Sequence, residues 1–151
     1  MDLAYLYTSF DGRINRQPYW IAAIVLAVVL IIVVFILSLI IGISFGMGYG
    51  FRLLIFILQL AVLYPSAALM VKRFHDRDKP GYYAAILLGL IVLNGLTDVL
   101  GITGNPLNAN ALDYILGIAT LVVSIWFLIE LGFLRGTQGP NQYGPDPLGN
   151  P

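Results

Sequence analysis

Four stretches of the chain, about 20–43, 53–71, 82–100 and 112–134, are apolar nearly all round. Leu, Ile, Val and Ala fill them without a polar stripe at helical spacing. Each is close to the roughly 20 residues that a helix needs to cross a hydrocarbon core. The breaks carry turn chemistry: Gly46, Gly48 and Gly50 in the first, Pro80 and Gly81 in the second, "GITGNPLNAN" in the third. The first stretch is longer than a signal-peptide h-region of about 7 to 15 residues, and no clear A-x-A site follows it, so it is read as a retained span. Ahead of it, Leu3, Leu6, Tyr7 and Phe10 recur at helical spacing, which predicts a short amphipathic interfacial segment. The glycine-rich "GMGYG" follows an apolar helix rather than a strand and is a loop, not a dinucleotide fingerprint.

Composition agrees with lipid as the second solvent: the 151 residues are 59% hydrophobic and 11% charged, with a mean hydropathy of +0.87. A formal net charge of zero gives no field for nucleic acid. The absence of cysteine removes disulfides, thiolate chemistry and cysteine metal sites. The expected fold is all-α and polytopic: one four-span membrane domain with a Gly/Pro-rich tail over 135–151.

Charge then sets the expected orientation. With a cytoplasmic amino terminus, seven of the eight Lys and Arg fall inside, and only Arg52, able to snorkel at the start of the second span, falls outside. Both termini are therefore expected in the cytoplasm. The densest cluster is "KRFHDRDKPGYY" at 72–83, which contains the chain's one histidine. Its residues 72–81 are read as the hydrated connection between spans two and three. There Lys72 and Arg73 face the carbonyl end of one helix, and Asp76 and Asp78 precede the amide end of the next, whose first turn Pro80 suits. Helix-end effects offer no use for His75 and Arg77.

"FDGRINRQPYW", "KRFHDRDKPGYYAAILL" and "GTQGPNQYGPDP", in that order and separated by paired apolar spans, resemble the hallmark segments of the domain-of-unknown-function 805 (DUF805) family of small bacterial inner-membrane proteins. The resemblance runs from about Phe10 to Pro147. Two departures stand out: Phe74 and the pair Tyr82–Tyr83 in the second segment, and Gln142 where the third usually carries arginine. The resemblance implies a membrane location and four spans. Composition alone would leave the tail disordered, but its likeness to a hallmark segment implies that it folds back, with Tyr143 and Leu148 as anchors.

The candidate site is one cytoplasmic layer. Arg13, Arg16, Arg73, His75 and Arg77 are its candidate anion ligands, for a lipid headgroup or a phosphate-bearing group, or else for an internal carboxylate of the tail, Glu130 or, nearest of all, Asp76, in a self-contained network. Asp76, Glu130, Arg135, Asn141 and Tyr143 are its structural polar network. Glu130, about one turn inside span four, costs on the order of 2.5 to 3.5 kcal/mol unpaired, and Arg73, Arg13 or Arg135 are its expected partners. Gln59, Asn94, Thr97 and Asp98 are read as interhelical hydrogen-bonding groups or a narrow polar path, and Tyr64 and Pro65 as a kink. Three function classes follow. The first is a structural or accessory protein that binds lipids, anionic ones among them; the second is a small oligomeric transporter, channel or accessory subunit. The third, an enzyme, is disfavoured: His75 beside Asp76 is the nearest thing to an oriented base, there is no nucleophile motif, and no metal or cofactor is expected. A homo-oligomer or a larger membrane complex is left open.

Overall fold

The computed structural model describes residues 2–45, 48–104 and 107–149, with backbone alone at 41–45; of the glycines expected to break the first two spans, Gly46 lies outside these residues. Among the described residues five α-helices follow one another: α1 (Leu3–Thr8), α2 (Arg16–Phe45), α3 (Tyr49–Asp76), α4 (Ala84–Val99) and α5 (Ala111–Phe127). A 3-10 turn, Gly81–Tyr83, leads into α4, and a π-helical turn, Leu128–Phe133, extends α5. Four helical stretches are long and apolar enough to cross a membrane: Arg16–Ile40, Tyr49–Asp76, Gly81–Val99 and Ala111–Phe133. The protein is an all-α, multi-pass membrane protein.

Local chemistry explains the helix ends. Asp2 caps α1 by accepting from the amides of Ala4 and Tyr5, at 2.9 and 3.3 Å. Asn110 and Asp113 form a reciprocal capping box at the start of α5. Pro18 lies in the first turn of α2, where its missing N–H costs nothing. Pro65 lies inside α3, a position that lipid-spanning helices tolerate. At the other end of α3, Lys79 donates its amide to the Phe74 carbonyl at 2.9 Å, and Asp78 takes the left-handed conformation that closes the helix.

α3 is the central helix: it packs against α1, α2 and α4, while α4 carries α5 and α2 touches the π-helical turn. The buried apolar side chains gather toward one end of the bundle. Phe74, Ala84, Leu87, Phe127 and Leu131 form one cluster, and Leu6, Ile14, Ala22 and Leu69 form another under α1. Most of α2 and the outward faces of the other spans expose Val, Ile, Leu and Phe. That pattern suits hydrocarbon as the surrounding solvent.

The largest fully buried side chains of this end are Arg73 and Lys72, together with Phe74 and Leu131. This corrects the expectation of a hydrated connection over 72–81. The helix runs on through Asp76, so Lys72, Arg73, His75 and Asp76 are helical, and only 77–80 join α3 to the 3-10 turn. The physical reason is that their charges find partners in neighbouring segments and need no water.

Candidate functional site

The last turn of α3 presents its polar side chains in three directions. Lys72 reaches α1, where its ammonium donates to the carbonyls of Tyr5, Leu6 and Ser9 at 2.5, 2.8 and 2.6 Å. An ammonium has three protons, and the carboxyl end of a short helix offers free carbonyls, so the match is complete. The Tyr5 ring lies 4.6 Å from the same nitrogen. Tyr7 and Tyr64 brace the helix further, donating to the Ala22 and Thr8 carbonyls at 3.0 and 2.8 Å.

Arg73 and Asp76, one turn apart, turn instead toward the chain that follows α5. Asp76 is held between two guanidinium groups: Arg13 donates to Oδ1 from Nε and Nη2 at 3.3 and 3.1 Å, and Arg73 donates to Oδ2. Arg13 spends its remaining donors on the tail, on the carbonyls of Thr137 (2.8 Å), Gly139 (2.9 Å) and Gly144 (3.2 Å). Arg73 spends its own on the carbonyls of Leu131 (2.7 Å) and Leu134 (2.5 Å) at the end of the π-helical turn. The Arg13, Arg73 and Asp76 side chains are 1, 0 and 4% exposed. Removed from water, such a triad holds only because every side-chain nitrogen and oxygen in it has a partner. Gly136 is part of the fit, since a Cβ there would run into the Asp76 carboxylate.

The tail closes over this centre. Thr137 donates its amide to the Asp76 carbonyl at 2.8 Å, and the Asn141 side chain donates to the His75 carbonyl at 2.9 Å. Asn141 and Gly144 exchange backbone hydrogen bonds in a tight turn. That turn sets the Tyr143 ring flat on the His75 imidazole, with centroids 3.8 Å apart and planes at 4°. Nδ1 of His75 lies 3.2 Å from the Gly12 carbonyl. Asp146 accepts from the amides of Gly139 and Leu148, both at 2.9 Å. Those amides, Leu148 foremost, hold its carboxyl below the usual carboxylate range. Leu148, an expected anchor, is 62% exposed and anchors nothing by burial.

Residues 7–145 match the family described as Protein of unknown function (DUF805). The chain belongs to this family. It is also 33% identical, over 90 residues, to "Uncharacterized protein YiiR" of Escherichia coli K12 and to the protein of the same description in Escherichia coli O157:H7. The aligned part is 58% of this chain and 56% of each relative, so the chain spans about half the length of the curated relatives it matches. No solved structure matches.

In this DUF805 protein the three hallmark segments meet at one place: Arg13 from the first, Arg73, His75 and Asp76 from the second, Asn141 and Tyr143 from the third. Glu130 is also in the layer, but its partners differ from those expected. Arg77 Nε lies 3.0 Å and Lys79 Nζ 2.8 Å from its Oε1, and Arg77 also donates to the Arg135 carbonyl. Arg13 and Arg73 are already committed to Asp76, whereas Arg77 and Lys79, just past the end of α3, reach across to the π-helical turn. The sequence reading missed Lys72 as the clamp on α1, Lys79 as a partner of Glu130, and Thr137 and Asp146 in the tail. Thr137 and Asp146 both fall within the third hallmark segment, which was the available signal.

Two exposed basic side chains of the layer, Arg16 and Arg135, have no carboxylate within ion-pair distance among the described residues, whereas the buried Lys72, also without one, is held by carbonyls. Arg16 donates to the Phe133 carbonyl at 3.0 Å, and Trp20, one turn on, donates to the Gly132 carbonyl at 3.1 Å. Both arginines line a small polar pocket with Arg73, Asp76, Thr137 and Asp146. Its volume of about 20 Å³ has room for a water and not for a phosphate. The pocket interior is therefore too small for any anion of phosphate size. Among the described residues no three His, Cys, Asp or Glu side chains gather as a metal site.

The opposite end holds the other polar group. Asn94 donates to Thr120 Oγ1 at 3.0 Å, Thr103 donates to Thr97 at 2.8 Å, and Arg52 lies 3.7 Å from Asp98. These bonds tie α4 to α5, to the loop that follows and to α3, as interhelical hydrogen bonds do.

Proposed function

We propose that this DUF805 protein is a structural or accessory protein of the bacterial inner membrane, with its polar layer and both termini in the cytoplasm, and that the layer binds the headgroup of an anionic lipid. The observation that carries the reading is the division of labour among the basic residues. Lys72, Arg13, Arg73, Arg77 and Lys79 are consumed by carbonyls and carboxylates, while Arg16 and Arg135 sit exposed at the mouth of the pocket they share, without an ion-pair partner among the described residues. Seven Lys and Arg and six Asp and Glu belong to this end, so local guanidinium geometry, not net charge, would attract the lipid. The same distribution of Lys and Arg supports the orientation. Of the candidate anion ligands, Arg13 and Arg73 hold the layer together, His75 and Arg77 are engaged within it, and Arg16 is free to bind. Native mass spectrometry of the gently extracted protein tests this. Retention of phosphatidylglycerol over phosphatidylcholine is expected, and equal retention of the two would end the reading.

A further inference from the structure

We infer that one anionic glycerophospholipid occupies the seam between α2 and the end of α5, its phosphate between Arg16 and Arg135 and one acyl chain in the apolar crevice beneath Trp20. The inference rests on the lipid-binding reading and gives that lipid a place. Arg16 uses one donor, to the Phe133 carbonyl, and Arg135 uses none from its side chain among the described residues. Two guanidinium forks therefore remain for phosphate oxygens, an arrangement in which arginine surpasses lysine.

Depth suits the same ligand. Arg16 is the first residue of its span, and Tyr19, Trp20 and Phe133 form an edge-to-face aromatic group with centroids 6.1 and 6.2 Å apart. Such rings mark the headgroup level. One turn deeper, α2 packs on the bundle chiefly through α3. Two cavities flank α2 and share Tyr19, Ala23 and Met70: one of about 170 Å³ toward the end of α5, and one of about 250 Å³ between α2 and α3. The first is bounded by Trp20, Leu128 and Gly132, the second by Leu26, Val62 and Ser66 among others. The long apolar slot thus begins directly beneath an aromatic ring that is itself one turn from a guanidinium. That order of arginine, aromatic ring and apolar slot matches a phosphate, a glycerol and a chain. A free phosphate would make no use of the slot.

Asp146 supplies the control. Its carboxylate lines the same pocket and is attracted by Arg13 and Arg135 without reaching ion-pair distance of either. It offers the arginines an internal anion, so it competes with the lipid phosphate.

The test is native mass spectrometry of the full chain titrated with phosphatidylglycerol, with phosphatidylcholine and with inorganic phosphate. Each arginine near a membrane surface contributes about a fivefold factor, so Arg16→Gln with Arg135→Gln should weaken phosphatidylglycerol binding about twenty-fivefold. Arg135→Gln alone, which breaks no side-chain hydrogen bond, should weaken it about fivefold and leave the melting temperature unchanged. Ala23→Phe, which fills the slot and leaves the charges alone, should lower lipid binding to a similar degree, and Asp146→Asn should raise it. Arg52→Gln, at the other end, should change nothing. Phosphatidylglycerol binding that survives both the arginine and the Ala23 variants would overturn the seam and leave lipid binding elsewhere on the layer standing. Inorganic phosphate that competes fully, with no effect of Ala23→Phe, would make the ligand a free anion and overturn the lipid. No preference for phosphatidylglycerol in the unmodified protein would remove the wider reading as well.

Discussion

Asp76→Asn tests the centre of the layer at nearly constant shape. The substitution removes one negative charge from between two guanidinium groups whose side chains are 1 and 0% exposed. What remains is a pair of buried cations facing a neutral amide that can accept from one of them and must turn its own N–H₂ toward the other. Breaking a buried ion pair by removing one partner costs about 3 to 5 kcal/mol, because the partner stays buried without compensation. For a chain of this length each kcal/mol moves the melting temperature by about 2 to 4 °C, so a fall of roughly 6 to 20 °C is expected. The loss should not be evenly spread. Arg13 also holds the carbonyls of Thr137, Gly139 and Gly144, so the tail should loosen first and become a protease target ahead of the spans. Thermal unfolding in mild detergent, with limited proteolysis followed by mass spectrometry, reads both effects. A melting temperature within about 2 °C of the unmodified protein, with the tail still protected, would refute the reasoning. Asp76 would then be a solvated carboxylate and not the hub of the layer.

Other substitutions separate the parts of the layer. Lys72→Met keeps the apolar stem but strips the donors from the Tyr5, Leu6 and Ser9 carbonyls. A loss of about 2 to 4 kcal/mol is expected, with faster amide exchange confined to residues 3–8, and unchanged exchange there would count against the clamp. Glu130→Gln leaves Arg77 and Lys79 with a neutral partner; because those side chains are 23 and 38% exposed, the expected cost is smaller, about 1 to 2 kcal/mol by thermal unfolding. Gly136→Ala forces a methyl into the Asp76 carboxylate and should cost about 1 to 3 kcal/mol, whereas Gly117→Ala, with open space around it, should cost nothing measurable. For the orientation, the chain has no cysteine, so single cysteines at the exposed positions Gln138 and Asn108 can be labelled in intact cells. Asn108→Cys should react with an impermeant reagent and Gln138→Cys should not; the reverse pattern would invert the topology.

The spans were legible because hydrocarbon leaves the backbone no alternative to helix, and continuous runs of Leu, Ile and Val announce that environment directly. The end of α3 was not. Lys72, Arg73, His75 and Asp76 read as a hydrated turn when the only known solvents are water and lipid, but the folded protein provides a third environment. Carbonyls from the ends of α1 and of the π-helical turn, and a carboxylate shared by two arginines, replace water there. The candidate list brought the right segments together, since Arg13, Arg73, Asp76, Asn141 and Tyr143 do meet. Which cation takes which anion was not legible. Glu130 goes to Arg77 and Lys79 because a helix end and a π-helical turn fix the distances, and neither boundary is written in the residue pattern.

The placement of charge also explains why so apolar a protein can carry so polar a centre. Hydrophobic association cannot drive helices together when lipid is as apolar as they are, and much of α2 lies against nothing within the chain. The specific cohesion must come from groups that lipid cannot satisfy. Arg13, Lys72, Arg73, Asp76 and Glu130 are such groups, and each bridges segments far apart in sequence: Lys72 to α1, Arg13 to α3 and the tail, Glu130 to the connection after α3. Unpaired they would be costly in a bilayer, and paired they admit essentially one arrangement, so they select the fold by penalising its alternatives. On that argument the hallmark segments are first of all a folding device. Under the proposed function, binding would fall to the arginines that the device does not consume, Arg16 and Arg135, and that is why a ligand should be sought at the seam of α2 and not at the buried triad.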